Sequence, residues 1–338
     1  MSLTRRNEIM ARKHVQELRN VLYKDWIQDS IDKTIIYEGT LEPKKGDVEP
    51  KIKIANSGVV KAIFNKPVGE TCVLNFADFV EPGGAFIRGG NAQEEAICMA
   101  STLYPVLCAY KEEYYDANAK DINNHLYRNK ALYTPDVLFL EGRRRTRASV
   151  ITCAAPNLIK AEQVKGFNLE DNVKALVDRI KFVLAIAEDN DVNTLILGAW
   201  GCGVFGQDVI QVARLFKYLI TTHCSIPNIV FAIPDGKKYN MFKNIFENED
   251  IDEYINSIIT EDEVEAEVEV VVEITVTETS KVDNNNAIKV GDMIELPRML
   301  IVGSTFVPEG EICKVVAINN GTYDIETKSG VIIESVML

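Results

Sequence analysis

Residues 71–95 read TCVLNFADFVEPGGAFIRGGNAQEE, and this stretch contains the pattern that best indicates the fold. The stretch begins with a short apolar run, Thr71–Phe76, of the kind that forms a buried strand. A proline- and glycine-rich loop follows over Glu81–Gly90, where glycine lets the backbone approach a ligand closely. Two adjacent carboxylates, Glu94 and Glu95, close the stretch. A strand, a glycine loop and then a helix predict one unit of an α/β sheet, with a ligand site at the loop.

The two carboxylates begin a predicted helix over Ala92–Leu103. Neighbouring residues on a helix point about 100° apart, so Glu94 and Glu95 are expected to have different tasks. A helix N-terminus favours a charged carboxylate, whereas a general acid must hold its proton. An acid at this place therefore needs apolar cover or desolvation by the bound ligand. The alternative is that Gln93, Glu94 and Glu95 only cap the first turn.

A second strand–loop–helix unit contains residues 197–208, LGAWGCGVFGQD. Its glycines, between a strand over Thr194–Leu197 and a helix over Asp208–Thr221, suit a diphosphate, because loop N–H groups and the helix N-terminus can face the anion. The loop lacks the lysine of a Walker A motif and the spacing of GxGxxG. A nucleotide-like ligand is predicted, not an ATPase; the alternative is a tight structural turn. Cys202 has no histidine near it in sequence and is predicted to be a packing residue.

The remaining patterns extend the same α/β interpretation, with a largely parallel or mixed central sheet. Helical spacing covers 5–33 and Asn168–Asp189. The basic run Arg143–Arg147 is interpreted as a solvated hairpin tip or as a contact for a polyanionic substrate. Further strands are predicted at Thr34–Tyr37, Val59–Phe64, Asp136–Leu140, Ser149–Ala154 and Ile229–Ile233.

Charge divides the chain into three predicted parts. The formal net charge is −13, but residues 247–280 hold 13 acidic residues and no lysine or arginine. Residues 1–246 carry 32 basic and 29 acidic residues, so a polyanionic ligand is not excluded there. We expect a ligand-binding domain over 1–246, an acidic Glu/Val-rich connector over 247–286, and a small C-terminal all-β, SH3-like domain over 287–338. The last domain is a candidate site for an unknown partner.

Composition excludes several classes of protein. No run approaches the roughly 18 apolar residues of a membrane span, and the N-terminus has no apolar signal core. The seven cysteines form no CxxC pair, which is typical of a reduced, intracellular chain. With three histidines, a zinc site is not expected. We therefore expect a cytoplasmic protein without a metal or a cofactor and without a membrane partner.

Several motifs in a fixed order carry a family resemblance. They are Asn75-Phe76-Ala77, Pro82-Gly83-Gly84-Ala85, Ala92-Gln93-Glu94-Glu95, Ser101-Thr102-Leu103-Tyr104, Tyr133-Thr134-Pro135-Asp136-Val137, Ala154-Ala155-Pro156-Asn157 and Leu197–Phe205. In this order they resemble the bacterial-type poly(ADP-ribose) glycohydrolases of the macrodomain superfamily. The resemblance covers roughly residues 5–246. It implies a macrodomain-like three-layer α/β/α sandwich with a mixed central sheet.

The resemblance also implies roles for the two loops. Glu95 would be the general acid/base, Glu94 would orient the ribose, and Asn75 would be a ribose ligand. Gln93 belongs to the same motif and is a predicted substrate-binding residue. Residues of the two glycine loops would border the terminal ribose and wrap the diphosphate and distal ribose, with Phe205 packing against a ribose; they are Gly83, Gly84, Ala85, Gly201, Cys202, Gly203, Val204 and Phe205.

The implied activity is hydrolysis of the O-glycosidic ribose–ribose bond in poly(ADP-ribose), which needs a proton for the leaving group. Two alternatives stay open: a non-catalytic ADP-ribose reader, and a hydrolase of mono-ADP-ribosylated protein or nucleic acid. One departure from the family bears on them, because Ala85 stands where the family has a third glycine. If Ala85 had a positive φ, the loop would be strained by roughly 1 kcal/mol or more.

Overall fold

The computed structural model describes residues 2–44, 49–65 and 71–251, together with the backbone of short strands between 293 and 336. The chain divides into two compact units, Met1–Ile251 and Asp252–Leu338. Among the described residues, no helix combines the length and the apolar character needed to cross a bilayer.

A seven-stranded sheet forms the centre of the first unit, in the order β1-β4-β5-β3-β6-β7-β2. The β1–β4 and β4–β5 pairs are antiparallel, and the other pairs are parallel, which confirms the predicted mixed α/β fold. The strands are β1 Ile35–Glu38, β2 Lys51–Ala55, β3 Thr71–Phe76, β4 Lys130–Glu141, β5 Arg144–Cys153, β6 Thr194–Leu197 and β7 Asn228–Ala232.

Ten α-helices in the described part of the first unit surround this sheet, with short 3₁₀ turns at Phe86–Arg88 and Asn123–His125 and a π-helical turn at Lys111–Tyr115. The α-helices are α1 Leu3–Leu18, α2 Val21–Lys33, α3 Val59–Phe64, α4 Gln93–Met99, α5 Leu103–Ala109, α6 Asp116–Asn118, α7 Leu158–Ala161, α8 Leu169–Asp189, α9 Val209–His223 and α10 Gly236–Asn248.

Helices pack on both faces of the sheet, because successive strand side chains point to opposite faces. Val73, Val150 and Ile196 lie in a buried cluster with residues of α3, α4 and α5. On β7, Phe231 contacts Phe216 of α9 with the ring centroids 5.4 Å apart, and it also contacts two phenylalanines of α10. The core is therefore built from two layers of apolar side chains with the sheet between them.

The prediction of a strand at Val59–Phe64 is wrong, because this segment is helix α3. Its β-branched composition is typical of strands, but Val59, Ala62 and Ile63 are the buried residues, and their spacing is that of a helix face. The strand that precedes it, β2, reads KIKIA and was missed, although its alternation of lysine and isoleucine is a strand signal.

Two predicted helices are each divided in two. Residues 5–33 form α1 and α2, and the Asn20 side chain caps the second helix by accepting from the Leu22 N–H. The helix predicted over 92–103 ends at Met99, because the next residues pair with β4: the Thr102 N–H donates to the Leu138 carbonyl at 3.0 Å. Pro105 lies in the first turn of α5, where proline is tolerated.

The second unit is described through its strands. β8 Met293–Glu295, β11 Ile312–Asn319, β12 Thr322–Glu326 and β13 Ile332–Val336 form an antiparallel sheet, and β9 Leu300–Val302 pairs with β10 Thr305–Val307. The SH3-like arrangement stays a prediction. The predicted connector over 247–286 lies, beyond Ile251, outside the described residues.

Candidate active site

A cleft of about 400 Å³ lies at the carboxyl ends of the parallel strands. The two predicted loops lie at this edge because β3 and β6 are neighbours in the sheet. Most of the cleft wall comes from three segments: 91–96 at the start of α4, 199–205 after β6, and 232–238 after β7. This is the edge at which ligands bind in α/β sheets.

The first glycine loop lies directly against the two carboxylates. Gly83 and Gly84 have φ of 69° and 59°, a left-handed conformation that favours glycine. A Cβ on Gly84 would lie 2.8 Å from Glu94 Oε2 and 3.1 Å from Glu95 Oε1. Any side chain at this position would push the carboxylates away, so the close approach of backbone and carboxylates requires glycine.

Ala85 does not strain the loop. Its φ is −94°, a value that any residue adopts, so the departure from the family's third glycine carries no backbone cost. Its methyl group lies near Gly90, where an added Cβ would be 2.8 Å from Ala85 Cβ.

Glu95 joins the loop to the helix. Its Oε1 accepts from the Ala85 N–H and its Oε2 accepts from the Ala92 N–H, both at 2.9 Å. Ala92 precedes α4, so Glu95 also satisfies a free N–H of the helix terminus, as the capping alternative expected. The same two bonds fix its carboxyl group at the end of the glycine loop, with 8% of the residue exposed.

Glu94 is more deeply buried and braces the end of β3. Its Oε2 accepts from the Asp78 N–H at 2.8 Å, and its Oε1 accepts from Asn75 Nδ2 at 3.2 Å. Burial raises the pKa of Glu94 well above its usual range, and the charge of Glu95 adds to this against those two hydrogen bonds. The burial that favours a protonated carboxyl group is therefore present at Glu94, which the resemblance assigns to orienting the ribose, and not to proton transfer.

Asn75 has an unsatisfied acceptor in the same place. Its side chain is fully buried, and its Oδ1 has no hydrogen-bond partner among the described residues. Buried polar atoms are rarely left without a partner, and this one lies one residue before Phe76, which lines the cleft. The amide of Gln93, in contrast, is used by the main chain of β3: Oε1 accepts from the Phe76 N–H and Nε2 donates to the Leu74 carbonyl.

The second glycine loop is shaped by Gly201 and held by two distant side chains. Gly201 has a φ of 73°, and a Cβ there would lie 2.8 Å from Gln207 Cγ. Gln207 is in turn buried and paired through its amide with Asn172 of α8. From α10, Lys238 Nζ donates to the Cys202 carbonyl at 3.0 Å. The loop is thus fixed by contacts with α8 and α10.

The loop offers main-chain donors, whereas the helix after it does not. In the described part of the chain, the N–H groups of Gly203, Val204 and Phe205 have no acceptor. At the start of α9, Asp208 accepts from the Gln211 N–H at 2.8 Å, so a carboxylate already faces this helix terminus. The expected contribution of the helix dipole to anion binding is therefore opposed, and the donors toward an anion are those of the loop.

Cys202 is buried among these groups, and burial raises its pKa to about 12. A thiol that keeps its proton at neutral pH is a poor nucleophile, which agrees with a packing role. The basic run over 143–147 lies elsewhere: Arg144 begins β5, whose far end, Cys153, reaches the cleft edge. That strand has ten residues, which places its arginines, Arg144 to Arg147, about 20–30 Å along the strand from the cleft edge.

Sequence patterns missed three residues near the site: Lys238 donates to the Cys202 carbonyl, the Tyr127 ring contacts the Phe205 ring, and Arg179 donates to the Ala154 carbonyl. Lys238 lies in the first turn of α10, the helix of a third strand–loop–helix unit that begins with β7, and this repetition was a usable signal. Arg179 lies among the apolar positions of α8, and a lone arginine on such a face was another. Tyr127 has no comparable signal in the sequence.

Comparisons with known proteins agree with this geometry. Residues 6–142 match the family model for the catalytic domain of microbial-type PARG. Poly(ADP-ribose) glycohydrolase from Thermomonospora curvata, bound to the inhibitor ADP-HPD, has the same fold at 24% identity and a TM-score of 0.62, over 72% of this chain and 100% of that one. The enzyme from Deinococcus radiodurans in complex with ADP-ribose matches at 25% identity and a TM-score of 0.60, over 65% and 97% of the two chains.

The sequence has no significant match among curated proteins. The motif-based resemblance is nevertheless confirmed: residues 6–142 match the family model for the microbial-type PARG catalytic domain, and the first unit has a fold similar to that of the bacterial poly(ADP-ribose) glycohydrolases.

Proposed function

We propose that the first unit hydrolyses the O-glycosidic ribose–ribose bonds of poly(ADP-ribose) and releases ADP-ribose, with Glu95 as the general acid/base. The observation that carries this proposal is the position of the Glu95 carboxyl group, which two main-chain N–H groups hold against Gly84 and Gly90. The microbial-type PARG match and the structure of the Deinococcus enzyme with ADP-ribose support it.

The proposed chemistry needs one proton-transfer group. Glu95 gives a proton to the leaving glycosidic oxygen as the ribose develops oxocarbenium character, and then accepts one from the attacking water. Glu94 and Asn75 orient the ribose, for which the free Oδ1 of Asn75 is a suitable acceptor. The assignment of proton transfer to Glu95 rests on the position of its carboxyl group against the glycine loop, while the more deeply buried Glu94 braces the end of β3.

In the same proposal, the second loop binds the diphosphate. The N–H groups of Gly203, Val204 and Phe205 are the donors, and Gly201 and Cys202 supply the bend that presents them. Phe205 packs against the distal ribose. Gly83, Gly84 and Ala85 border the terminal ribose, and Gln93 supports β3 beside it.

We also propose a domain architecture, a cellular location and a role for the C-terminal domain. A three-layer macrodomain over 1–246 is supported by the helices on both faces of the sheet. A cytoplasmic location is supported by the free cysteines among the described residues. The domain over 287–338 is proposed to bind a partner. The non-catalytic reader loses its main argument, because Ala85 does not strain the loop.

The Glu95→Gln variant tests the proposal. We expect it to release no ADP-ribose from labelled poly(ADP-ribose), while its affinity for ADP-ribose, measured by calorimetry, stays near that of the wild type. Glu81→Gln is the matched control, since Glu81 is an exposed carboxylate near the same glycine loop. Full activity of Glu95→Gln would refute the assignment. Mono-ADP-ribosylated protein and nucleic acid as parallel substrates distinguish the alternative hydrolases.

A further inference from the structure

The segment that carries Tyr127 has an unfavourable backbone. Asn123, Asn124, His125 and Tyr127 have φ between 43° and 66°, the left-handed region that residues other than glycine rarely adopt. Such a conformation persists only when the surrounding structure holds it, and it is often found beside functional sites. The contacts of this left-handed turn, residues 123–127, therefore show what holds it and what it positions.

Arg179 of α8 is the buried side chain that ties the left-handed turn to the rest of the fold. Its Nε donates to Asn129 Oδ1 at 2.7 Å, and one terminal nitrogen donates to the Leu126 carbonyl at 3.4 Å. The other terminal nitrogen donates to the carbonyl of Ala154, at the end of β5. One guanidinium group therefore connects the turn to the segment that follows β5. This is possible because the three guanidinium nitrogens carry N–H donors that point in different directions.

Among the described residues, Arg179 has no carboxylate within ion-pair distance. The residue is 1% exposed, and its hydrogen-bond partners are neutral carbonyl and amide oxygens and the Cys153 side chain. A buried cation without a carboxylate in contact is costly, and an apolar side chain would fill the same space more cheaply. Core packing alone does not explain an arginine here, whereas fixing two backbone segments does.

The turn reaches the candidate site through aromatic rings. The Tyr127 ring stacks on Phe79 with the centroids 4.3 Å apart, and it meets the edge of Phe205 at 6.2 Å. The segment tied by Arg179 contacts both sides: the Asn157 N–H donates to the His125 carbonyl, and the Ile159 N–H donates to the Phe205 carbonyl. Phe205 lines the cleft. Its main chain and its ring are therefore both positioned by groups that Arg179 connects.

We propose that Arg179 is a positioning residue for substrate binding: it holds the left-handed turn and the segment after β5 so that the Tyr127 ring and the Ile159 main chain fix Phe205 in the wall of the cleft. The inference rests on the proposed function, and it concerns binding of the ADP-ribose unit and leaves proton transfer by Glu95 unaffected.

The test uses Arg179→Lys, which keeps the charge but cannot bridge the three acceptors. We expect the KM for poly(ADP-ribose) and the Kd for ADP-ribose to rise about tenfold, a change typical of losing contacts within one network, with kcat nearly unchanged. In a Phe205→Ala background, the same substitution should change KM and Kd by less than about twofold, because its effect acts through Phe205. A general structural role would give additive effects and would overturn the proposal.

Two controls keep the result interpretable. Arg128→Lys changes an exposed arginine beside the same turn and should leave KM unchanged. Ile180→Val removes a buried methyl group from α8 and should lower the melting temperature without changing KM. If Arg179→Lys does not fold, Asn129→Ala removes one acceptor of the guanidinium and should raise Kd in the same direction; an unchanged Kd would refute the inference. A wild-type protein that does not bind ADP-ribose would refute the proposed function instead.

Discussion

Replacing Glu94 by glutamine should stabilise the protein at neutral pH and should have little effect in acid. Glu94 is 3% exposed, and burial raises its pKa well above the usual 4.5. A glutamine can keep the bond from the Asp78 N–H through its oxygen. Its amide nitrogen can donate to Asn75 Oδ1 after the Asn75 amide turns over, and this oxygen has no partner in the wild type. The variant therefore loses little hydrogen bonding.

The sign of the pH dependence follows from where the proton is held. Between pH 4.5 and the raised value, folded Glu94 keeps its proton while Glu94 in the unfolded chain has lost it. Stability that is present below pH 4.5 is therefore lost as the pH rises toward the folded pKa, at up to about 1.4 kcal/mol per pH unit. Glutamine does not titrate, so the variant lacks this loss. The difference in unfolding free energy should move in favour of Glu94→Gln across that window.

Urea unfolding of both proteins from pH 4 to pH 8 measures this difference directly. Glu81→Gln serves as the control, because the exposed Glu81 side chain gives no burial effect. A difference between Glu94→Gln and wild type that is the same at pH 4 and pH 8 would show that Glu94 is charged in the folded protein. The reasoning from burial would then be refuted.

Two further predictions concern the loops. Gly84→Ala should lower the free energy of unfolding by at least about 1–2 kcal/mol, because φ is 59° and the new methyl group meets Glu94 Oε2. Ala85→Gly, at a position with negative φ, should lower it by about 0.4–1 kcal/mol. Urea unfolding measures both changes. Burial raises the pKa of the Cys202 thiol to about 12, so this thiol should resist iodoacetamide at pH 8 in the folded protein and react in the unfolded protein. Peptide mapping by mass spectrometry measures the labelling, and labelled Cys202 in the folded protein would contradict the prediction.

The sequence predicted the parts of the site that are local along the chain. The loops after β3 and β6 follow apolar strands and are rich in glycine, which identifies them as loops. Their position at the same edge of the sheet was therefore predictable. Helix α8 was predicted from its apolar spacing, and the structure adds that the Asn168 side chain caps it. These features depend on neighbours within a few residues, and sequence patterns describe such neighbours well.

Features that depend on distant contacts could not be predicted in the same way. The high pKa of Glu94 arises from tertiary burial, which a helix N-terminus alone would have argued against. The conformation of Ala85 decides whether its methyl strains the loop, and the sequence left both signs of φ open. The β-branched composition of segment 59–64 predicts a strand. A helix of only six residues is too short for its apolar spacing to contradict that prediction.

The Lys238–Cys202 contact ties together parts of the chain that would otherwise appear separable. The carboxylates lie within the first 142 residues, but the loop proposed to recognise the diphosphate is held by a lysine almost a hundred residues later. A chimaera that transfers only residues 198–206 into a relative would carry the loop without Lys238. Transferring 198–206 and 235–238 together should preserve the contact between Lys238 and the Cys202 carbonyl.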